Sequence, residues 1–218
     1  MRAIVTGAHG GIGSAIVELF QSKGVDVIGV GRKDFNLMKN EEIREFMSKI
    51  GDIDILINCA GMNDLAGIEE MSDEKINEMI QVNLISQMTL IKCVIPGMKK
   101  NKYGRIVNLS SIWSKFSKER RVMYSVAKAG ITGLTVASAV ELSKYNILTN
   151  AVAPSYVDTV MTSKNNTPEQ IAAITESLPI KRMAKPEEIA KVVWFLASPD
   201  NTFITGQTIF VDGGFSCI

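Results

Sequence analysis

Two rhythms of apolar and polar residues alternate from one end of this chain to the other. Short, nearly continuous apolar runs occur at Arg2–Thr6, Val25–Val30, Ile53–Cys59, Arg105–Leu109, Ile147–Ala153 and Gln207–Val211. Runs of this length and continuity read as strands buried on both faces. Helical patterns fill the gaps: Ile12–Ser22, Glu41–Ile50 behind Asn40 as a candidate N-cap, Asp73–Lys99 with an interruption near Pro96, and Tyr124–Lys144. Thr167-Pro-Glu-Gln170 is a capping box with proline at the first helical position, and Pro186 opens a last helix that ends near Ala197. Strand and helix in strict alternation predict an α/β protein with a doubly wound parallel sheet, Rossmann-like, in a single domain over residues 1–218. One stretch is short. Only residues 31–52 separate the second and third apolar runs, room for one crossover helix. The sheet is therefore shortened around its third strand, which is a stub at Lys33–Leu37 or absent.

Composition narrows the class. The 218 residues are 46% apolar and carry a net charge of +1, which gives no electrostatic case for nucleic acid or an anionic membrane. No uninterrupted apolar run reaches the ~20 residues of a membrane span, and the first strand leaves no room for a leader, so a cytoplasmic protein is expected. Cys59, Cys93 and Cys217 are scattered and odd in number, as for reduced thiols. Cys59 reads as a small core residue. A single histidine, His9, makes a histidine-based metal site or a Ser-His-Asp triad improbable, and no metal is expected.

Two motifs carry chemistry. Thr6-Gly-Ala-His-Gly-Gly-Ile-Gly13 links the first strand to the first helix. Its glycines permit a tight turn and close backbone approach, and the helix N-terminus presents free N–H groups to a pyrophosphate. Tyr124 and Lys128 lie four apart on one helix face. An ammonium beside a phenol favours the phenolate, so Lys128 is expected to lower the Tyr124 pKa toward the range of efficient general acid catalysis. Ser111, thirteen residues upstream at a strand end, is placed to hold the oxygen that receives the proton. Ser110 faces the other side of the strand.

From residue 2 to about 215 the chain resembles the short-chain dehydrogenase/reductase family. The resemblance rests on T-G-x-x-x-G-x-G at 6–13, Asn58-Cys-Ala-Gly61, Asn83 in Val82-Asn-Leu84, Ser111, Tyr124 with Lys128, Pro154-Ser-Tyr-Val-Asp-Thr159 and Val211-Asp-Gly-Gly214. It implies a nicotinamide nucleotide held by Gly7, His9, Gly10, Gly11, Ile12, Gly13, Asn58, Ala60, Gly61, Tyr124, Lys128, Pro154, Val157 and Thr159. It implies catalysis by Ser111, Tyr124, Lys128 and Asn83, the last holding a helix kink and a water path to the lysine. It also implies a homotetramer or homodimer built on the Asp73–Lys99 and Tyr124–Lys144 helices. Ser155 stands where the family carries glycine, which leaves the local turn open. Relatives that prefer NAD are acidic at the position of Gly31. Here Arg32 and Lys33 follow it, and a guanidinium suits a 2′-phosphate, so NADP(H) is expected and NAD(H) is the alternative. Asp34 is a further candidate at the cofactor, at the ribose or, within Asp34-Phe-Asn-Leu37, at the adenine.

The resemblance also implies a small carbonyl substrate, free or carrier-bound. The expected walls are Met62, Asn63, Trp113, Phe116, Tyr156 and Val160–Leu178, with Ser111, Trp113 and Tyr156 touching substrate. Lys118-Glu-Arg-Arg121 could meet an anion, but a charge run of this kind is more often a solvated loop. Within the family the chain looks most like the 3-oxoacyl-[acyl-carrier-protein] reductases. A reductase of sugar, nucleotide-sugar or polyol ketones is the alternative. A nucleotide-binding regulator without turnover is the second, and an epimerase or dehydratase would need a longer C-terminal region.

Overall fold

A computed structural model describes residues 1–218. Six strands form one parallel sheet in the order β2-β1-β3-β4-β5-β6: β1 Arg2–Thr6, β2 Asp26–Val30, β3 Ile55–Asn58, β4 Gly104–Leu109, β5 Ile147–Pro154 and β6 Thr208–Val211. Side chains alternate across the pleat, and the two faces collect different helices. Ala3, Val5, Ile55, Ile57 and Val107 pack beneath α1 (Gly11–Ser22) and the C-terminal helix α8 (Pro186–Ala197). Ile4, Leu56 and Ile106 pack on the other face with α2 (Asn40–Ile50) and α4 (Ser86–Asn101). The doubly wound reading of the apolar runs holds.

The short connection after β2 contains no strand. Asp34 accepts from the Gly31 N–H and Asn36 from the Met38 N–H, so side chains close turns where a third strand would run. β2 is consequently the sheet edge.

Two expectations fail locally. Asn40 is the first residue of α2, not its cap; its carboxamide oxygen instead accepts from Gln81 and Thr89 of the neighbouring rod. That rod, Asp73–Asn101, is broken at Gln81–Ile85, a π-helical turn between α3 (Asp73–Ile80) and α4, not at Pro96. Pro96 lies on the exposed side of α4, where the carbonyl its missing N–H leaves free can meet water. By length and mean hydropathy (1.3 over its most apolar window) the rod is long and apolar enough to cross a bilayer, yet 44% of that window is buried within the fold.

The other ends fall close to the sequence expectation. α5 covers Val122–Leu142, α7 (Pro168–Ser177) begins with the Thr167–Gln170 capping box, and a short α6 occupies Val160–Lys164.

Candidate active site

Two contiguous hollows open along the carboxyl edge of the sheet, where ligands of open α/β sheets bind. The first is a groove of about 990 Å³ between the glycine loop and the segment after β2. The second is a cavity of about 160 Å³ over β4 and the start of α5. Gly61 and Met62 line both.

The glycine loop is built for backbone approach. Gly7 has φ +66°, and a Cβ there would stand 2.9 Å from the Ala60 Cα. A Cβ on Gly13 would sit 2.1 Å from the Gly7 carbonyl oxygen, and one on Gly11 would meet Thr159 at 2.6 Å. The first intrahelical N–H bond of α1 is donated by Ser14 to Gly10, so the amides of Gly11, Ile12 and Gly13 remain free for an anion. Thr6 Oγ1 accepts from the Cys59 and Ala60 N–H groups, both at 3.0 Å, and ties this loop to the end of β3. The residues present fit a dinucleotide.

Along the groove Gly7, His9, Gly10, Gly31, Arg32 and Ala60 are lining residues, as are Phe35, Asn36 and Leu37. Arg32 is exposed and forms no ion pair. Asp34 is not part of the lining; its carboxylate is engaged by the Gly31 N–H. Asn58 also stays off the groove. It is fully buried and donates to Asn108, which donates to Thr135, a polar chain that fastens β3, β4 and α5.

In the second cavity Ser111, Tyr124, Lys128, Trp113, Tyr156, Ile12, Pro154, Val157 and Thr159 come together. Ser111 caps a short turn, its hydroxyl accepting from the Trp113 N–H at 3.3 Å. Ser110 donates to the Lys128 carbonyl. Ser155 needs no left-handed backbone and its N–H reaches Val211 at 3.3 Å, so the segment closes without glycine. Trp113 and Tyr156 meet edge-to-face at 6.2 Å. Phe116 is not in the lining; it packs on Phe215 and Phe210.

Asn83 is fully buried within the π turn, and neither hollow is lined by it. Its Oδ1 accepts from the Met62 N–H at 2.9 Å and its Nδ2 donates to the Met62 carbonyl at 3.0 Å. The widened turn is where this clamp is seated, as π-bulges at functional sites often are. The side chain is thereby occupied in positioning the strand-end loop.

The electrostatics correct one expectation. Burial raises the Tyr124 pKa above the ordinary range, and the downward pulls come from the Ser111 hydroxyl and the charge of Arg121. Lys128 is not among them. Its Nζ donates to the Leu109 carbonyl at 2.6 Å and lies 5.6 Å from the Tyr124 ring centroid. Burial also weakens its own charge, bringing its pKa down to about 8 from 10.5. Cys59 lines the same cavity, where burial pushes its thiol up to about 12.

Cys59, Leu109, Ser110, Ser155 and Arg121 also line the cavity, outside the predicted site, and Arg121 alone of them carries a charge. Arg121 is 5% exposed and faces Trp113, its guanidinium carbon 5.4 Å from the ring centroid. Its only signal in the sequence was membership of a charge run. Met161, Thr162, Asn165 and Asn166 complete the outer wall.

An anion cradle of bare backbone leading to a half-buried phenol beside a lysine is the apparatus of an oxidoreductase that works through a nicotinamide nucleotide. Comparison with known proteins agrees. Residues 36–216 match the family profile described as enoyl-(acyl carrier protein) reductase. The chain is 34% identical to the 3-oxoacyl-[acyl-carrier-protein] reductase FabG of Vibrio cholerae, over 99% of this chain and 97% of that one. It is 35% identical to FabG of Thermotoga maritima, over 97% and 96%. Among solved structures it superposes on a Beutenbergia cavernae protein assigned as an NAD(P)-dependent gluconate 5-dehydrogenase, with bound NADP at low occupancy. That match has TM-score 0.94 and 30% identity, over 100% of this chain and 97% of that one. The aldohexose dehydrogenase of Thermoplasma acidophilum superposes with TM-score 0.92 and 30% identity, over 100% and 94%. The chain belongs to the short-chain dehydrogenase/reductase family.

Proposed function

We propose that this protein reduces a ketone to a secondary alcohol with NADP(H). The observation that carries the reading is the joining of Ser111, Tyr124 and Lys128 in one cavity that shares Gly61 and Met62 with the glycine-loop groove. The bound nucleotide supplies the hydride. Tyr124 donates its hydroxyl proton to the carbonyl oxygen. Burial keeps the phenol protonated, and the Ser111 hydroxyl and the Arg121 charge act against that rise, toward the range where donation is efficient. Ser111 holds the same oxygen in place. Lys128, anchored on Leu109, holds the nucleotide's ribose, and Asn83 keeps the Met62 loop in register through its two bonds.

Arg32, unpaired at the groove, supports NADP(H) over NAD(H), as does the NADP held by the Beutenbergia cavernae structure. Among substrates, a 3-oxoacyl thioester is supported by the FabG relatives. A polar ketone of the sugar-acid kind is the second reading, favoured by Arg121 in the cavity. A homo-oligomer is supported by apolar residues left exposed on the two helices expected to pair: Met88 on α4, and Val126, Val136 and Val140 on α5. The test is titration with NADPH and NADH, then NADPH oxidation against acetoacetyl thioesters, keto sugars and keto acids. Tyr124→Phe should abolish turnover and leave NADPH affinity within a few-fold; surviving reductase activity would refute the assignment.

A further inference from the structure

The four charged residues Lys118-Glu-Arg-Arg121 do not share one environment. Arg120 adopts φ +64°, a left-handed conformation uncommon for a residue with a Cβ. It points outward and pairs with Glu70 at 2.8 Å. Arg121 turns inward. It is 5% exposed, lines the cavity with Ser111 and Tyr124, and forms no ion pair. Its Nε is buried without any hydrogen-bond partner. The other buried arginine, Arg105, also leaves its Nε without a partner, and the difference lies at the terminal nitrogens. Arg105 donates to three backbone carbonyls, of Gly104, Asn146 and Asn201, at 2.8, 3.1 and 3.0 Å. Arg121 has no equivalent, and its guanidinium rests over Trp113. A guanidinium stays protonated in proteins, and a buried charge calls for a partner. Nothing in the chain supplies one. The terminal nitrogens of Arg121, free of any bond within the chain, are open to a ligand that enters the cavity.

Resting on the ketone-reductase reading, we infer that Arg121 is a substrate-binding residue that selects ketones carrying a carboxylate a few bonds from the reacting carbonyl. The spacing follows from the shared cavity. Arg121 is the N-cap of α5 and Tyr124 lies three residues further on, and both line the same cavity, close enough for the Arg121 charge to act on the phenol. A keto acid can then place its carbonyl at Tyr124 and its carboxylate at the guanidinium, which accepts such groups in a two-pronged geometry. The positive end of the α5 dipole adds to the attraction. Lys118, with Nζ 3.5 Å from the Tyr156 hydroxyl, supplies a second positive charge near the cavity wall. A neutral thioester at the same carbon leaves Arg121 unpaired.

The experiment compares isosteric acid and amide pairs of increasing reach, namely pyruvate and pyruvamide, acetoacetate and acetoacetamide, levulinate and levulinamide, with NADPH. For at least one pair the acid should exceed its amide in kcat/KM by about 100-fold, chiefly through KM. In Arg121→Gln that ratio should collapse toward 1, and Arg121→Lys should restore part of it. A residue acting only on Tyr124 would change acid and amide alike and shift the pH profile. Binding is read separately in Tyr124→Phe with NADPH, by titrating each acid while following tryptophan fluorescence. Trp113 lies under the guanidinium, whereas Trp194 packs on Phe20 elsewhere. Saturable quenching that disappears when Arg121→Gln is added supports the anion site even where no ketone is turned over, an outcome that would instead refute the reductase reading. Equal reduction of acid and amide by the unaltered protein overturns the anion site and leaves the reductase standing. Absence of acid binding in both assays also overturns it.

Discussion

Replacing Lys128 with methionine should stabilise the free protein while abolishing its activity, and the gain should depend on pH in a defined way. Lys128 is 3% exposed, and burial brings its pKa down to about 8 from the 10.5 of an exposed lysine. The folded state binds this proton more weakly than the unfolded chain. The cost of the buried charge is therefore complete below pH 8 and is relieved as pH climbs from 8 to 10.5. Over 2.5 units at 1.36 kcal/mol each, it amounts to about 3 kcal/mol. Methionine keeps the stem and omits the charge. It also omits the bond to the Leu109 carbonyl, which offsets about 0.5–1.5 kcal/mol at every pH. Urea melts of both proteins at pH 7, 8, 9, 10 and 10.5 measure the difference. The advantage of Lys128→Met should shrink by about 3 kcal/mol across that range, or roughly 6–12 °C in melting temperature for a chain of this size. Taking the difference between the proteins cancels other titrating groups. Cys59, held up to about 12, stays a thiol throughout. A difference that does not change with pH would mean that water reaches Lys128 in the folded state, and the reasoning from burial would be refuted.

Two further outcomes follow from the groove. Gly13→Ala places a Cβ 2.1 Å from the Gly7 carbonyl oxygen; the loop must open, and NADPH affinity, measured by fluorescence titration, should fall at least about 100-fold while the melting temperature moves little by comparison. Arg32→Ala removes an exposed, unpaired guanidinium; NADPH should bind about 10–100-fold more weakly with NADH affinity nearly unchanged, and equal loss for both nucleotides would remove Arg32 from 2′-phosphate recognition.

Much of this protein was legible in its sequence because the signals are local. The continuous apolar runs and the helical patterns between them specify which segments are strands and which are helices, and strict alternation of the two leaves little choice but a doubly wound parallel sheet. The short gap after the second strand correctly announced a lost third strand, since 22 residues cannot hold an extra strand and two helices. The glycine loop and the Tyr124–Lys128 pair were visible because each lies within one turn or one helix, where spacing alone brings groups together.

What escaped the sequence depends on contacts across long separations. The break in the long helix lies at Asn83 and not at Pro96, because it answers to the Met62 backbone 21 residues away. Asn58 reads as a cofactor ligand, yet its partner is Asn108, brought beside it by the β3–β4 register. The sign of the Tyr124 shift reverses the expectation from an adjacent lysine, because burial is set by everything packed around the phenol and outweighs a neighbour 5.6 Å away. Arg120 and Arg121 are adjacent and identical as letters. Only the backbone turn at Arg120 sends one to Glu70 in solvent and the other into the cavity beside Tyr124. Sequence determines what a segment tends to be; which groups lose their water, and what they then face, is decided only when distant segments pack.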